Sequence, residues 1–585
     1  MFYLCILLLA LCNSSSAAPY PGCPPDGPLL PRPTNIANSE IVKAATGTLQ
    51  DSLDRAIEGQ IRSGFIVENT SFSIGLISHD DPSNVPIWEY HHRGSANTNG
   101  TSHIDGDTQY LVGSISKLIS DLAFLRTEID LQAPVTEYLP QLASNSSVIS
   151  WENITLASLT DHLSGIPPNG GFSEWYFLQP LLEQLGFPSL PIDAYPSCGV
   201  DGLNKPCSKE QLFEQLLTAR PVTMPYQRPV YSQLSFTLLS YALGAHLNKS
   251  YEQLLDDYVI QPFNLNNTGV SPGITSLAAI PPGPNNWGAH YGDGTPGGGL
   301  YSSLHDLTRI IQSILDKTAL RTATHDRQWL QPHSHTSSPS TSVGQPWEIF
   351  RSTNLTPSHH HTIDIYSKNG GAYGYTAQLA VIDHYGIGLA ILTAGPADAY
   401  RILYDAMLSV ILPAVEQETR LQAQGHAGNF TSRDGLVTLN TSMDDGPGIK
   451  LDALTRNGSD ILAAMSSFYS QALPQFGALS TDFRIFPSDP TQEGISNATG
   501  TNVSVIREDW RINLDFLPNS AETSGSDLPG QGAWQGFCTA WQTADWFHYG
   551  GEAVDRIVFL RDRGSGEVVG VEVPFLRAAL GRDGV

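Results

Sequence analysis

Apolar residues in the first two thirds of the chain follow strand spacing near both ends of that segment and helical spacing between them. Continuous or alternating apolar runs predict strands at 71–77, 87–92, 378–383 and 388–393. Helical spacing at 49–62 and 397–417 predicts a helix at each end. Terminal strands that flank a long, mostly helical middle predict the α/β class, as an α/β/α sandwich with an all-helical lobe.

The pattern changes after about residue 418. Short alternating segments such as 436–440 and 556–560 are separated by Asn, Gly and Asp, which is typical of β-rich structure. The sequence therefore predicts two domains: a larger α/β domain over 46–415 and a smaller C-terminal β-rich domain, a barrel or a sandwich, over 418–585. No chemical motif lies in the second domain.

The N-terminal residues predict export. Residues 1–17 combine an apolar run, 4–11, with small residues that end at Ala17, the pattern of a signal peptide. A Pro-rich leader follows over 18–45, with the prolines concentrated between Pro21 and Pro33. No later stretch approaches the ~18 to 20 apolar residues that span a bilayer. We expect a secreted, extracellular protein.

Cysteine usage fits an exported chain. Removal of residues 1–17 leaves four cysteines, an even number that predicts two disulfides. Cys198 and Cys207 bracket a short polar loop and are expected to pair locally. By elimination, Cys23 then pairs with Cys538.

The glycosylation sequons and the negative net charge predict a glycosylated, acidic surface. We predict glycans from the N-x-S/T sequons, which are at Asn69, Asn99, Asn145, Asn153, Asn248, Asn266, Asn354, Asn429, Asn440, Asn457, Asn497 and Asn502. The net charge of -26 argues against nucleic acid or anionic membranes as partners, because both require a basic face. The sequence does not indicate an oligomeric state.

The segment 110–120 contains Ser114 and Lys117 in the pattern S-x-x-K, where an apolar strand end turns into a helix. Residues three apart share a helix face, so the lysine nitrogen can lie beside the serine hydroxyl. The chain has only eight lysines, and Lys117 alone has a serine three positions before it. This spacing predicts an activated serine nucleophile.

Two further motifs follow in order. Tyr231-Ser232-Gln233 opens an apolar helical stretch, and Lys368-Asn369-Gly370-Gly371 follows at the end of a strand-like segment, 362–367. With S-x-x-K, they resemble the active-site elements of the serine β-lactamase and penicillin-binding protein superfamily: S-x-x-K, then Y-x-N or S-D-N, then K-T-G or H-x-G. The resemblance is to the class C-like and esterase-like branch. Flanking segments extend it, at 130–140, 154–165, 297–307 and 371–375.

The resemblance implies roles for each motif residue. Ser114 is the nucleophile, Lys117 and Tyr231 share the task of general base, and the backbone N–H groups of Ser114 and Gly371 form the oxyanion hole. The substrate-binding residues it implies are Gln233, Lys368, Asn369, Gly370 and Gly371. It also implies the family's fold, an α/β/α sandwich with a helical lobe. The chain departs from the pattern at Gln233, at Asn369 and in a shortened segment between Lys117 and Leu131.

These features predict a serine hydrolase that forms an acyl-serine intermediate with an ester, lactone, amide or β-lactam. The substrate class is a small-molecule or peptide-like acyl compound. Two alternatives use the same residues: an acyltransferase in secondary metabolism and a catalytically silent binding protein. We expect no cofactor and no metal, because the adjacent histidines at 91–92, 333–335 and 359–361 lack acidic or cysteine partners at fixed spacing.

Overall fold

The computed structural model describes residues 23–25, 27–127, 129–145, 147–170, 174–496, 498, 502–517 and 538–583. The signal peptide predicted at 1–17, the start of the leader and the sequon at Asn497 lie outside the described residues. The chain forms two compact units. The α/β unit comprises 33–357 and 362–418, and the barrel unit comprises the described residues up to 32, 358–361 and those from 419 onward.

The α/β unit is built on an eight-stranded antiparallel sheet in the order β2-β1-β11-β10-β9-β8-β7-β6. Its strands are β1 (Ser71–Ser78), β2 (Trp88–His92), β6 (Ser334–His335), β7 (Thr341–Val343), β8 (Glu348–Ser352), β9 (Ile363–Ala372), β10 (Tyr375–Ile382) and β11 (Ile387–Ala394). A three-stranded sheet contains β3 (Tyr110–Leu111), β4 (Gly269–Val270) and β5 (Leu300–Ser302).

Helices cover both faces of the large sheet. Every residue of β1 and β11 is buried, as expected for central strands that are covered on two sides. The helices of the unit are α1 (Glu40–Ile57), α2 (Ile115–Leu125), α3 (Val135–Tyr138), α4 (Leu156–Thr160), α5 (Gln179–Gln184), α6 (Lys209–Thr218), α7 (Leu234–Leu247), α8 (Tyr251–Leu255), α9 (Thr295–Gly298), α10 (Leu304–Leu315), α11 (Ala323–Trp329) and α12 (Asp398–Ala423), which continues into the barrel unit.

Alternation along β1 separates two hydrophobic cores. Phe72, Ile74 and Leu76 pack with α1 and α12, whereas Ile77 packs with α2, α10 and the helical lobe. This arrangement confirms the predicted α/β/α sandwich. Helix α1 begins at Glu40, not at residue 49, because the Ser39 side chain accepts a hydrogen bond from the Val42 N–H and caps the helix.

The barrel unit contains a sheet that closes on itself. Its order is β13-β12-β24-β23-β22-β18-β17-β14-β15, and β13 also pairs with β14, so eight strands form a closed barrel with β15 attached. The barrel strands are β12 (Gly428–Ser432), β13 (Val437–Ser442), β14 (Ile449–Arg456), β15 (Ser459–Asp460), β17 (Arg484–Ser496), β18 (Val503–Asn513), β22 (Arg556–Asp562), β23 (Val568–Val573) and β24 (Ala578–Arg582). The predicted β-rich domain is therefore a barrel rather than a sandwich.

Side chains fill the barrel interior, among them Phe430, Trp510 and Phe559, whose rings contact one another. The remaining elements of this unit are β16 (Ala478–Leu479), β19 (Phe516–Leu517), β20 (His548–Tyr549), β21 (Glu552–Ala553), α13 (Ile461–Ala472) and α14 (Ala540–Thr543). Among the described residues, no helix has the length and apolar character needed to cross a membrane.

The structure brings both predicted cysteine pairs to disulfide distance. The Cα atoms of Cys198 and Cys207 lie 4.9 Å apart in the α/β unit, and those of Cys23 and Cys538 lie 5.5 Å apart in the barrel unit. The sequon asparagines within the described part of the chain are all exposed or partly exposed, so a glycan at each would meet solvent.

Candidate active site

Ser114 lies in the turn that leads from β3 into α2. It is the residue before the first turn of the helix, and its hydroxyl makes no capping hydrogen bond there. Gly113, with φ 51°, makes the turn possible, since a Cβ at this position would lie 2.4 Å from the Gly371 backbone nitrogen. The tight turn thus places Ser114 directly against β9.

Lys117 follows one helical turn later and is fully buried. Its Nζ lies 3.2 Å from Ser114 Oγ, 2.5 Å from Gln233 Oε1 and 2.5 Å from the Gly297 carbonyl oxygen. Burial, and secondly the positive charge of Lys368, hold the pKa of Lys117 well below its usual value, while Glu348 opposes the shift. The geometry and the lowered pKa together favour a neutral amine beside the serine hydroxyl.

Lys117 Nζ donates to Gln233 Oε1 and to the Gly297 carbonyl oxygen, and it also lies within hydrogen-bond distance of Ser114 Oγ. In its neutral form, an amine with two hydrogens keeps one lone pair that can accept the hydroxyl hydrogen of Ser114. Tyr231 Oη donates to Ser114 Oγ at 2.7 Å. The three groups therefore form one chain of hydrogen bonds, from Tyr231 through Ser114 to Lys117.

Tyr231 precedes α7 and packs against two lysines and His162. Lys117 Nζ lies 4.8 Å and Lys368 Nζ 5.2 Å from the centre of its ring, and the Lys368 ammonium is within the range of cation–π interactions. His162 packs against the same ring at 4.6 Å, and its Nδ1 accepts a hydrogen bond from the Ser232 N–H. Burial, followed by repulsion from Lys117 and Lys368, keeps the pKa of His162 well below its usual value, so the imidazole is neutral.

Gln233 uses its side-chain amide within the protein. Its Oε1 accepts the hydrogen bond from Lys117, and its Nε2 donates to the Gly294 carbonyl at 3.0 Å. The amide therefore links S-x-x-K to the segment that leads into α9. It orients Lys117 whether or not it also reaches substrate.

The third motif lies inside β9 rather than after a strand. A Cβ on Gly370 would lie 1.9 Å from the Val112 carbonyl oxygen, so only glycine allows β9 to approach the Ser114 turn this closely. The same position lies 3.0 Å from the Ser114 nitrogen. The backbone of β9 at Gly370 and Gly371 therefore lies against the turn formed by Val112, Gly113 and Ser114.

One residue at this site was missed by sequence reasoning. Glu348, the first residue of β8, accepts hydrogen bonds from Lys368 Nζ through Oε1 and from the Asn369 N–H through Oε2. No motif contains Glu348, and the contact arises from the pairing of Glu348 with Ser367 in the sheet. Only the strand register reveals it.

The predicted site residues converge, whereas the histidine groups do not. Within the described residues, no group of three or more His, Cys, Asp or Glu side chains is arranged to hold a metal ion. His91 contacts Glu89 and His333 contacts Asp161, which are separate pairs.

Two family models match this chain. Residues 82–410 match the β-lactamase model, and residues 418–584 match the model of a beta-lactamase-like C-terminal domain. A beta-lactamase-like protein of Arthroderma benhamiae is 49% identical, over 98% of each chain. A probable hydrolase, M10, of a Phoma species is 25% identical, over 90% of this chain and 87% of its own.

Among solved structures, a D-stereospecific amidohydrolase from a Streptomyces species matches 59% of this chain and 97% of its own length. That match has 17% identity and a TM-score of 0.43. The family model that spans most of the chain and the fungal relative that aligns with nearly all of it agree with the fold. The chain therefore belongs to the β-lactamase-like hydrolase superfamily and carries a beta-lactamase-like C-terminal domain over residues 418–584.

Proposed function

We propose that this protein is a secreted serine hydrolase that cleaves an ester, lactone, amide or β-lactam through an acyl-Ser114 intermediate. The contact of Ser114 Oγ with both Lys117 Nζ and Tyr231 Oη carries the proposal. A serine hydroxyl is a poor nucleophile until a base accepts its proton. Burial and the charge of Lys368 lower the pKa of Lys117, which favours the neutral amine that can act as such a base.

In the first step, Ser114 Oγ attacks the substrate carbonyl carbon while its proton passes to Lys117 Nζ. The oxyanion that forms accepts hydrogen bonds from the Ser114 and Gly371 N–H groups, each worth about 3 kcal/mol of transition-state stabilisation. The bond to the leaving group then breaks, and Tyr231 donates its proton to the departing atom. The proton that Lys117 holds then passes to the Tyr231 oxygen, so both groups return to their starting protonation states.

In the second step, water attacks the acyl-serine carbonyl. Tyr231 accepts the water proton while it passes its own proton to Lys117, and Lys117 then gives that proton to Ser114 Oγ as the serine leaves. Tyr231 is 43% exposed, so solvent reaches the Tyr231 side chain beside Ser114, whereas Lys117 is buried. This exposure favours hydrolysis over an acyltransferase, which must exclude water from the acyl-enzyme.

A catalytically silent binding protein would not need these contacts. Burial of Lys117 among acceptors requires a specific set of partners, and every partner is in place. Export is supported by the two cysteine pairs at disulfide distance, since such pairs persist in oxidising compartments.

Intact-mass spectrometry of deglycosylated protein tests the proposal. A fluorophosphonate should add one adduct to the wild-type protein and none to Ser114→Ala. Ser52→Ala, which removes a hydroxyl on α1, is the control and should label like the wild type. A wild-type protein without an adduct, or an equal adduct on Ser114→Ala, would refute Ser114 as the nucleophile.

A further inference from the structure

The Glu348 carboxylate accepts hydrogen bonds from two donors at the start of the K-N-G-G segment, Lys368 Nζ and the Asn369 N–H. One carboxylate oxygen accepts from Lys368 Nζ and the other from the Asn369 N–H at 3.1 Å. Lys368 Nζ also donates to the Asn369 carbonyl at 3.1 Å. The ammonium and the adjacent backbone donor are thus bound by a single protein carboxylate.

In the Lys368–Glu348 ion pair, Glu348 lies on the solvent side. The Lys368 side chain has no exposed surface, whereas 32% of the Glu348 side chain is exposed. An incoming anion cannot contact Lys368 Nζ unless it displaces the Glu348 carboxylate. Displacement would leave the glutamate charge without its partner, which is costly beside a buried lysine.

The edge of β9 next to β8 also indicates that Glu348 occupies the donors an anionic substrate group would use. β8 pairs with β9 only as far as Glu348 opposite Ser367, so the β8-side edge of β9 from Asn369 onward has no strand partner. The N–H groups of residues two apart in a strand point to the same edge. Those of Asn369 and Gly371 therefore face this edge together. Glu348 binds the first, and the second faces the proposed oxyanion position.

Within the described part of the chain, the charges around this position provide no unpaired positive group that could bind a substrate carboxylate. Lys368 is neutralised by Glu348, and the lowered pKa values of Lys117 and His162 favour their neutral forms. The Tyr231 ring, which faces Lys117 Nζ and Lys368 Nζ, adds no positive charge. A carboxylate placed here would lie beside Glu348 and would meet a like charge.

We propose that Glu348 is a specificity-determining residue that restricts the site to acyl substrates without an anionic group at this position. The substrate class is then a neutral ester, lactone or amide, and compounds with a carboxylate near the scissile bond are disfavoured. This inference rests on the proposed function, because it names the substrate class of the same site.

A matched pair of thioesters tests the inference. Benzoylglycyl-thioglycolate ends in a carboxylate, and its thioglycolamide counterpart replaces that carboxylate with a neutral amide of the same shape. We expect wild-type kcat/KM to favour the amide by about tenfold or more, since like charges at close range oppose binding. In Glu348→Gln, we expect this preference to fall by about tenfold, because Lys368 is then available to the carboxylate.

Asp364→Asn is the matched control. Asp364 pairs with Arg351 across the same two strands, in a bidentate contact at 2.7 and 2.8 Å, away from Ser114. This variant should keep the wild-type preference. An equal or greater wild-type rate with the carboxylate substrate would overturn the inference, as would a Glu348→Gln variant with unchanged preference.

Two further measurements separate the inference from the proposed function. Fluorophosphonate labelling of Ser114 reports on the nucleophile and does not depend on charge selectivity. Calorimetric binding of both thioesters to Ser114→Ala reports on charge selectivity without turnover. Tighter binding of the amide, by about tenfold, supports the inference even if wild type is inactive or Glu348→Gln does not fold. Equal binding, or tighter binding of the carboxylate, contradicts it.

Discussion

At the scale of single residues, the site depends on how two lysines are buried. Lys117 and Lys368 both face the ring of Tyr231, and both are inaccessible to solvent. The pKa of Lys117 is lowered mainly by burial and then by Lys368. Glu348 limits that shift by neutralising Lys368. The pair of Lys368 and Glu348 therefore adjusts the base without touching the nucleophile.

The charge at position 368 should set the pH dependence of activity. Activity needs neutral Lys117, so kcat/KM rises as pH increases through the Lys117 pKa. Lys368→Met removes a charge that lowers this pKa, so the rising limb should move to higher pH. Glu348→Gln removes a charge that raises it, so the limb should move to lower pH.

The measurement is kcat/KM for 4-nitrophenyl butyrate between pH 5 and pH 10 in all three proteins. Shifts in opposite directions would support the assigned couplings. Coincident profiles, or shifts in the same direction, would contradict the role of Lys117 as the titrating base.

The sequence predicts some of these site residues and not others. Ser114 and Lys117 meet because they are three positions apart on one helix, which is a local property that the sequence displays. Tyr231 and Lys368 follow from motif order, and the structure places Tyr231 Oη 2.7 Å from Ser114 Oγ and Lys368 Nζ 5.2 Å from the centre of the Tyr231 ring. Glu348 could not be predicted, because its contact depends on which residue of β8 lies opposite Ser367.

At the scale of elements, the approach of β9 to the turn before α2 builds the site. Gly113 and Gly370 allow the two backbones to approach closely, since a Cβ on either would overlap backbone atoms of the other segment. The sequence predicts a strand near this position but ends it before Lys368, whereas β9 extends to Ala372. β9 extends to Ala372 because its residues pair with those of β10. The apolar pattern of 362–367 alone does not show this pairing.

Neighbouring glycines should respond differently to substitution. Gly370→Ala places a methyl group 1.9 Å from the Val112 carbonyl oxygen, so β9 must shift, and we expect a loss of about 2 kcal/mol or more in unfolding free energy. Gly371→Ala meets no atom within 4 Å and should retain stability close to the wild-type value. Thermal unfolding of both variants, followed by circular dichroism, provides the comparison. Equal stability of the two would show that β9 is not pressed against the turn.

At the scale of the whole molecule, two units have separate hydrophobic cores and one cysteine pair each. The barrel closes through the pairing of β13 with β14. The order of the predicted strands along the chain does not show whether these two strands pair, so it fits a barrel and a sandwich equally well. The sequence therefore predicts a β-rich domain but cannot choose its architecture. The composition of each strand is compatible with both.

The two cysteine pairs should contribute unequally to stability. Cys198 and Cys207 are separated by 9 residues, and Cys23 and Cys538 by 515. Loop-closure entropy predicts that loss of the short link costs about 3 kcal/mol and loss of the long link costs more. Double Cys→Ala variants, compared by thermal unfolding, measure both. A larger loss from the Cys198 and Cys207 variant would contradict this entropic account.

In the proposed mechanism, Lys117 activates Ser114 as a neutral amine. The most direct test is the rate of Ser114 labelling by a fluorophosphonate, measured against pH in wild type and in Lys117→Met. We predict a wild-type rate that rises with an apparent pKa well below the usual lysine value, and a loss of about 100-fold or more in Lys117→Met at pH 7.5. A Lys117→Met variant that labels at the wild-type rate would contradict the account.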